Sequence, residues 1–97
     1  MKNEIKNYLI KNKHRYISGD ILKQQFNLTT IKLQKIIHDL RVNGEPIISG
    51  GYLGYKYTTD KQEIMKTYLS LKNRAISIHS AANGLMMSLE GDGDEQI

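Results

Sequence analysis

The 97-residue sequence contains no cysteine, no tryptophan and a single proline. The absence of cysteine excludes disulfide bonds and cysteine-ligated zinc. The three histidines, His14, His38 and His79, lie far apart and lack the spacing of metal ligands. No apolar run approaches the roughly 18 residues of a membrane span, and the polar N-terminus lacks the apolar core of a secretion signal. We therefore expect a cytoplasmic protein with no cofactor, no metal ion and no membrane partner.

Positive charge is concentrated in the first part of the chain. Residues 1–57 contain ten Lys and Arg against four Asp and Glu, a net charge of +6, whereas residues 58–97 contain four against six, a net charge of −2. A basic part followed by an acidic part is typical of a nucleic-acid-binding segment joined to a segment with another role. The alternative is that the lysines serve only to keep a small protein in solution.

Hydrophobic periodicity and capping residues predict two helices before residue 27. The first runs over about residues 4–13, with Asn3 as its N-cap. Ser18 is expected to cap a short second helix over residues 19–25. The apolar residues that this second helix is expected to bury are Ile21, Leu22 and Phe26.

A third, amphipathic helix is predicted after a short turn. Asn27 tolerates the left-handed conformation that ends a helix, and Thr29 or Thr30 is expected to cap the next helix, which runs to about Val42. Its apolar stripe, at helical spacing, consists of Leu33, Ile36, Ile37 and Leu40. Polar and basic residues occupy its remaining faces. Two short helices joined in this way are typical of a helix-turn-helix.

A glycine-rich hairpin is predicted to follow the third helix. Gly44 and Pro46 end that helix, and short strands are expected at residues 47–49 and 55–58 on either side of a flexible loop. On the second strand, Tyr55 and Tyr57 are expected to face inward and Lys56 outward.

In order and spacing, these motifs resemble the winged helix-turn-helix of the bacterial biotin-operon repressor class, over about residues 4–58. The matching segments are Ile17-Ser18-Gly19-Asp20-Ile21-Leu22, Asn27-Leu28-Thr29, Leu33, Ile37, Leu40-Arg41, Gly44-Glu45-Pro46-Ile47 and Gly54-Tyr55-Lys56-Tyr57. With an added C-terminal helix, the arrangement is also similar to small winged-helix proteins encoded by phages and prophages. The resemblance implies a mainly α (α+β) fold with a three-helix core, a hairpin wing and no enzymatic activity.

The resemblance also implies which residues face double-stranded DNA. In such domains the third helix enters the major groove, and the wing touches the backbone or the minor groove. By position, the DNA-facing residues are Thr29, Thr30, Ile31, Gln34, Lys35, His38, Tyr52 and Lys56. The expected function is that of a phage-type transcriptional regulator or a replication-associated DNA binder. The alternative is a module that docks on a replication or transcription protein, to which Ile31 beside Ile36 would be suited.

A long C-terminal helix is predicted over residues 59–89. Asp60 and Glu63 form a capping-box-like start. Apolar residues then recur at alternating spacings of four and three, which is the heptad pattern of a coiled coil. The members of this seam are Ile64, Tyr68, Leu71, Ala75, Ile78, Ala82, Leu85 and Leu89. We expect a homodimer through Leu71, Ala75, Ile78, Ala82 and Leu85.

Two alternatives apply to this helix. One is that it folds back on its own domain, and the other is that it breaks at Asn83-Gly84. The acidic, glycine-rich residues 90–97 are expected to form a disordered tail. The domain organisation expected from sequence is thus a winged helix-turn-helix at residues 1–58, a dimerisation helix at 59–89 and a tail at 90–97.

Overall fold

The computed structural model describes the backbone of residues 1–95 and the side chains of residues 1–89. It is mainly helical, with one two-stranded antiparallel hairpin and a long C-terminal helix, which confirms the α+β composition expected from the sequence. The elements are α1 (Lys2–Lys11), α2 (Gly19–Phe26), α3 (Thr30–Val42), β1 (Ile47–Ser49), β2 (Tyr55–Tyr57) and α4 (Lys61–Glu95). The chain divides into two compact units, Met1–Thr67 and the residues from Tyr68 on.

Side-chain caps fix where α2 and α3 begin. The Ser18 hydroxyl accepts a hydrogen bond from the Ile21 amide at 3.1 Å, and the Thr29 hydroxyl accepts one from the Lys32 amide at 3.2 Å. Asn27, with φ of 52°, supplies the left-handed residue that ends α2. These three predictions are confirmed, and they leave only a three-residue turn between the two helices.

The first helix differs from its prediction at both ends. It begins at Lys2 rather than Glu4, and it ends at Lys11. An ion pair of 3.2 Å between the N-terminal ammonium and the Glu4 carboxylate lies in the first turn and favours the early start. Asn3 is therefore inside the helix and does not cap it.

The core of residues 1–67 lies between the first three helices and the hairpin. Its buried members are Ile5, Leu9, Ile17, Leu22, Leu33, Ile37, Leu40 and Ile47. The rings of Tyr8 and Phe26 close one side, edge to face at 5.7 Å between centroids. Ile21 is 49% exposed, so the prediction that it is buried is wrong. A helix as short as α2 turns only a narrow stripe inward, and Leu22 occupies it.

The hairpin is tied to the connector between α1 and α2. On one edge β2 pairs with β1, Ile47 opposite Tyr57. On the other edge Tyr55 exchanges two backbone hydrogen bonds with Ile17, at 2.8 and 2.9 Å. The loop between the two strands contains a short 3-10 turn, Gly51–Leu53. The hairpin is therefore held on both edges of β2.

A close backbone approach at Gly54 permits this pairing. Gly54 has a φ of 101°, and a Cβ atom there would lie 2.1 Å from the Ile17 carbonyl oxygen. Both the backbone conformation and the contact exclude any other residue. The hairpin thus reaches the connector only because position 54 is glycine.

The helix α4 begins at a well-formed cap and continues further than expected. The Asp60 carboxylate accepts hydrogen bonds from the amides of Gln62 and Glu63, at 2.9 and 3.4 Å. The helix passes through Asn83-Gly84 without a break, since a single glycine costs only about 1 kcal/mol relative to alanine. Residues 90–95, expected to be a disordered tail, are helical in backbone, and residues 96–97 lie outside the described residues.

The substitution Gly54→Ala should lower the free energy of unfolding by roughly 3 kcal/mol or more, because it combines strain with a backbone clash. Gly51→Ala is the matched control: Gly51 also has a positive φ, 63°, but a Cβ atom there meets nothing within 4 Å. Its loss should be about 1 kcal/mol. Urea titrations followed by circular dichroism measure both, and equal losses would contradict the assignment of Gly54 to the hairpin contact.

Candidate nucleic-acid interface

The outer face of α3 is uncovered along its whole length. Leu33, Ile37 and Leu40 point into the core, and the opposite ridge, at helical spacing, consists of Ile31, Lys35, His38 and Val42. All four ridge residues are exposed, Ile31 at 78% and Val42 at 71%. Among the described residues, no hydrogen bond or ion pair engages the side chain of Lys35 or His38. The Lys35 ammonium and the His38 imidazole thus face solvent, between the apolar side chains of Ile31 and Val42 at the two ends of the ridge.

Two further side chains flank the ridge. Gln34 is exposed on one side of it and Lys32 on the other, and neither has a side-chain partner among the described residues. Lys32 was not among the residues predicted from sequence. The sequence signal that could have identified Lys32 as a site residue is its position in the first turn of α3, three residues after the Thr29 cap.

The start of α3 carries a second cation that the sequence reasoning missed. The ammonium of Lys23, on α2, donates a hydrogen bond to the Thr30 hydroxyl at 3.1 Å and pairs with Asp20 at 3.2 Å. The predicted site residue Thr30 is therefore exposed but already engaged, and it links the two helices. The three-residue turn after α2 brings Lys23 and Thr30 together, although seven positions separate them.

The hairpin tip is the most exposed aromatic position in the described chain. Tyr52 lies in the 3-10 turn and is 94% exposed, and its neighbour Leu53 is 45% exposed. The predicted position of Tyr52 at the tip is confirmed. An aromatic ring held on a short turn is available for stacking or for insertion into a groove.

Lys56 has a different environment from the one expected. Its ammonium forms an ion pair with Glu63 of α4 and lies 4.4 Å from the centre of the Tyr16 ring. The side chain is only 12% exposed. It leaves the hairpin toward α4 and not toward open solvent, so a phosphate contact by Lys56 has no support in this arrangement.

A buried threonine organises the junction between the hairpin and α4. Thr58 is 0% exposed. Its hydroxyl donates to Glu63 at 3.0 Å, accepts from the Asp60 amide at 3.1 Å and lies 3.3 Å from Nδ1 of His14. In a capping box the Glu63 side chain would bond the Asp60 amide. Thr58 takes that role here, which leaves Glu63 for Lys56.

The charges at this junction shift each other's ionisation. The hydrogen bond from Lys56, with a second from Thr58, lowers the pKa of Glu63 below its ordinary value. The same ion pair raises the pKa of Lys56. On the opposite face of β2, burial raises the pKa of Tyr57, and the Glu45 carboxylate adds to the effect.

The predicted site residues therefore fall into separate groups. Six of them lie on or at the start of α3, Tyr52 lies at the hairpin tip, and Lys56 faces α4. Arg41 connects the end of α3 to β1, since its guanidinium donates to the Ile47 carbonyl at 2.8 Å and to the Ser49 hydroxyl at 2.6 Å. The residues predicted for dimerisation are all on α4 and all exposed: Leu71, Ala75, Ile78, Ala82 and Leu85.

Comparison with protein-family models, with curated proteins and with solved structures found no match to this chain. Within residues 1–95, no helix has the length and apolar character needed to cross a membrane. Among residues 1–89, whose side chains the structure describes, His, Asp and Glu form no cluster of three that could hold a metal ion.

The substitution Glu63→Gln should destabilise the protein at neutral pH, and the loss should shrink in acid. Because the pKa of Glu63 is lower in the folded than in the unfolded chain, its contribution is complete above about pH 4.3 and disappears as the pH falls through the folded-state value. Urea unfolding of both proteins at about pH 6 and about pH 3 measures this difference.

The single variant Lys56→Met and the double variant Lys56→Met, Glu63→Gln complete a mutant cycle, which separates the interaction of the two residues from the effect of each alone. A difference between wild type and Glu63→Gln that stays constant over the whole pH range would rule out the Lys56–Glu63 pair as its source.

Proposed function

We propose that this chain is a non-enzymatic protein that binds double-stranded DNA, with residues 1–58 acting as a winged helix-turn-helix. In this proposal α3 enters the major groove, and the tip of the β1–β2 hairpin touches the backbone or the minor groove. The observation that carries the proposal is the uncovered outer face of α3 from Thr29 to Val42. A short turn and two side-chain caps hold this helix rigidly against α2, as groove reading requires.

The charges of residues 1–57 support the proposal. Three of the ten cations there, Lys6, Lys23 and Lys56, are paired with carboxylates. Arg41 is bonded to β1. The remaining six are exposed and have no carboxylate partner among the described residues: Lys2, Lys11, Lys13, Arg15, Lys32 and Lys35. Exposed cations that no carboxylate neutralises attract a polyanion, and the polyanion releases counterions when it binds.

The face of α3 also carries groups that contact bases and phosphates. Gln34 has an amide that can pair bidentately with adenine in the major groove. Lys35 and Lys32 supply charge to phosphates on either side of the ridge. The first-turn amides of α3 and the Thr29 hydroxyl lie at the positive end of the helix dipole, where phosphate oxygens bind. The exposed Ile31 methyl groups suit contact with a thymine methyl.

The hairpin contributes through its tip. Tyr52 is exposed and Lys56 is paired with Glu63, so we assign the hairpin's DNA contact to residues 51–53 and not to Lys56. Relative to the site expected from the sequence, the proposed site loses Lys56 and gains Lys32, and its location on the molecule is unchanged.

The substitution Lys35→Ala should weaken binding to a fluorescein-labelled duplex of mixed sequence and make the salt dependence shallower. If Lys35 neutralises one phosphate, the slope of log affinity against log salt should fall in magnitude by about 0.9. Fluorescence anisotropy from about 50 to 200 mM salt measures it. Lys2→Ala, which removes an equal charge from α1, is the control and should change the slope less.

Two results would contradict the proposal. One is that the wild-type protein binds no duplex at the lowest salt concentration, and the other is that both lysine variants behave like the wild type. Selection of bound duplexes from a random library separates the two expected roles. An enriched motif indicates a transcriptional regulator, whereas binding without enrichment indicates a general, replication-associated binder.

A second candidate function is supported by the apolar ends of the α3 ridge. Ile31 and Val42, exposed at 78% and 71%, would suit a protein partner that lies along α3. Ile36, expected to contribute to such a surface, packs against the core instead. The double variant Ile31→Ser, Val42→Ser keeps the charge of α3. A protein-docking role predicts that it abolishes partner binding while the anisotropy titration with DNA is unaffected.

A further inference from the structure

The helix α4 has an apolar seam that is uncovered in the single chain. Every residue from Tyr68 to Leu89 is exposed. Among the seam residues, Leu71 is 38% exposed, Ile78 63% and Leu85 71%. This is a continuous apolar surface on one side of one helix, and surfaces of this kind are contact sites.

The same segment has few of the features that stabilise an isolated helix, the contact of Lys72 with Tyr68 being one. It contains serine at four positions, two asparagines and Gly84, all of which favour helix less than alanine does. Residues 64–89 include no Asp or Glu, so no carboxylate–lysine pair supports the helix along its length. Most helical stability in proteins comes from packing of an apolar face. This helix therefore needs a partner along its seam.

The spacing of the seam specifies a second helix as that partner. Alternating steps of four and three keep one stripe facing a neighbouring helix in a left-handed pair. The stripe contains two interleaved sets of residues. One set is uniformly large: Ile64, Leu71, Ile78 and Leu85. The other has alanine at its two central positions: Tyr68, Ala75, Ala82 and Leu89.

The alternation of large and small residues distinguishes the two possible orientations. In a parallel pair each set faces the same set of the other copy. Ala75 would then face Ala75 and Ala82 would face Ala82, and these two layers of the helix pair would be underfilled. In an antiparallel pair one set meets the other, so each central alanine lies opposite a large residue, and the outer layers pair large residues with each other. Layers that interdigitate in this way pack without voids. The antiparallel orientation therefore fills the seam, and the parallel one does not.

One antiparallel register satisfies all eight seam positions. Its facing pairs, one residue from each copy, are Ile64 with Leu89, Tyr68 with Leu85, Leu71 with Ala82 and Ala75 with Ile78. The same register brings Met65 near Met86 of the other copy, which extends the apolar contact beyond the seam. The twofold axis passes between Ala75 and Ile78.

Charge favours the same orientation. Between residues 64 and 89 the only charged side chains are Lys66, Lys72 and Arg74, all in the first half of α4, whereas residues 90–95 contain four carboxylates. A parallel pair would place eight carboxylates at one end. An antiparallel pair separates the acidic ends of the two helices, and it also opposes the two helix dipoles.

We propose that α4 pairs with α4 of a second copy of this chain in antiparallel orientation, with Leu71 opposite Ala82 and Ala75 opposite Ile78. The two copies of residues 1–67 are then attached at opposite ends of the helix pair. The first residues of the two α4 helices are roughly 46 Å apart along the axis, at 1.5 Å per residue. This pairing does not depend on whether residues 1–58 bind DNA.

The natural absence of cysteine allows a direct test of orientation and register. The full-length variants Leu71→Cys and Ala82→Cys are unfolded together, refolded as a mixture and equilibrated in a glutathione buffer. The two differ in mass, so intact mass spectrometry distinguishes the covalent heterodimer from each homodimer. The proposed register brings Leu71 beside Ala82 of the other copy, and it separates two copies of either residue by roughly 16 Å, too far for a disulfide.

A covalent heterodimer without either covalent homodimer supports the proposal. Homodimers of each variant would establish the parallel orientation and so overturn the proposal. A mixture without any covalent dimer would also overturn it. Sedimentation velocity provides a second readout without cysteine. The wild type should sediment at twice the chain mass and Ile78→Asp at the chain mass, whereas the control Ser80→Asp, on the far side of the helix from the seam, should remain dimeric. A monomeric wild type would also overturn the proposal.

Discussion

The arrangement of residues 1–67 depends on the contact between the backbone of Gly54 and the carbonyl of Ile17. This contact lets Tyr55 pair with the connector, so β2 gains a second hydrogen-bonded edge. The next residue along the connector, Ser18, caps α2, and α2 leads through a three-residue turn into α3. The hairpin and the exposed helix are thus fixed relative to each other through one short stretch of connector. A side chain at position 54 would interrupt this chain of contacts at its start.

A second junction links the hairpin to α4 and explains the environment of Lys56. Since the Thr58 hydroxyl occupies the Asp60 amide, the Glu63 carboxylate is free to accept from Lys56. The ion pair, the cap of α4 and the contact with His14 all meet at this buried threonine. Lys56 is consequently a structural residue that attaches α4 to β2. The cations left for an anionic partner are those on α3, at the ends of α1 and in the connector that follows α1.

Much of the fold could be predicted because its determinants are local. The caps Ser18 and Thr29, the left-handed Asn27 and the apolar stripe of α3 each act within a few residues, and the structure has all of them where the sequence places them. The exposure of Ile21 depends on which narrow stripe of α2 packs inward, and the pairing of Tyr55 with Ile17 joins distant segments, and periodicity describes neither. The candidate site shows the same division. The exposed face of α3 followed from its periodicity, whereas the engagement of Lys23 with Thr30 and of Lys56 with Glu63 required the tertiary structure.

Every residue from Tyr68 to Leu89 is exposed in the single chain, so the stability of the two units should depend differently on protein concentration. Residues 1–67 have a core of their own, so their folding equilibrium is independent of how many copies are present. Under the proposed antiparallel pairing, order in the later part of α4 would come from association, and association follows mass action. At low protein concentration the second unit would then be open to proteolysis, and at high concentration it would be protected. The abundance of the protein would in this way set the lifetime of its own C-terminal helix.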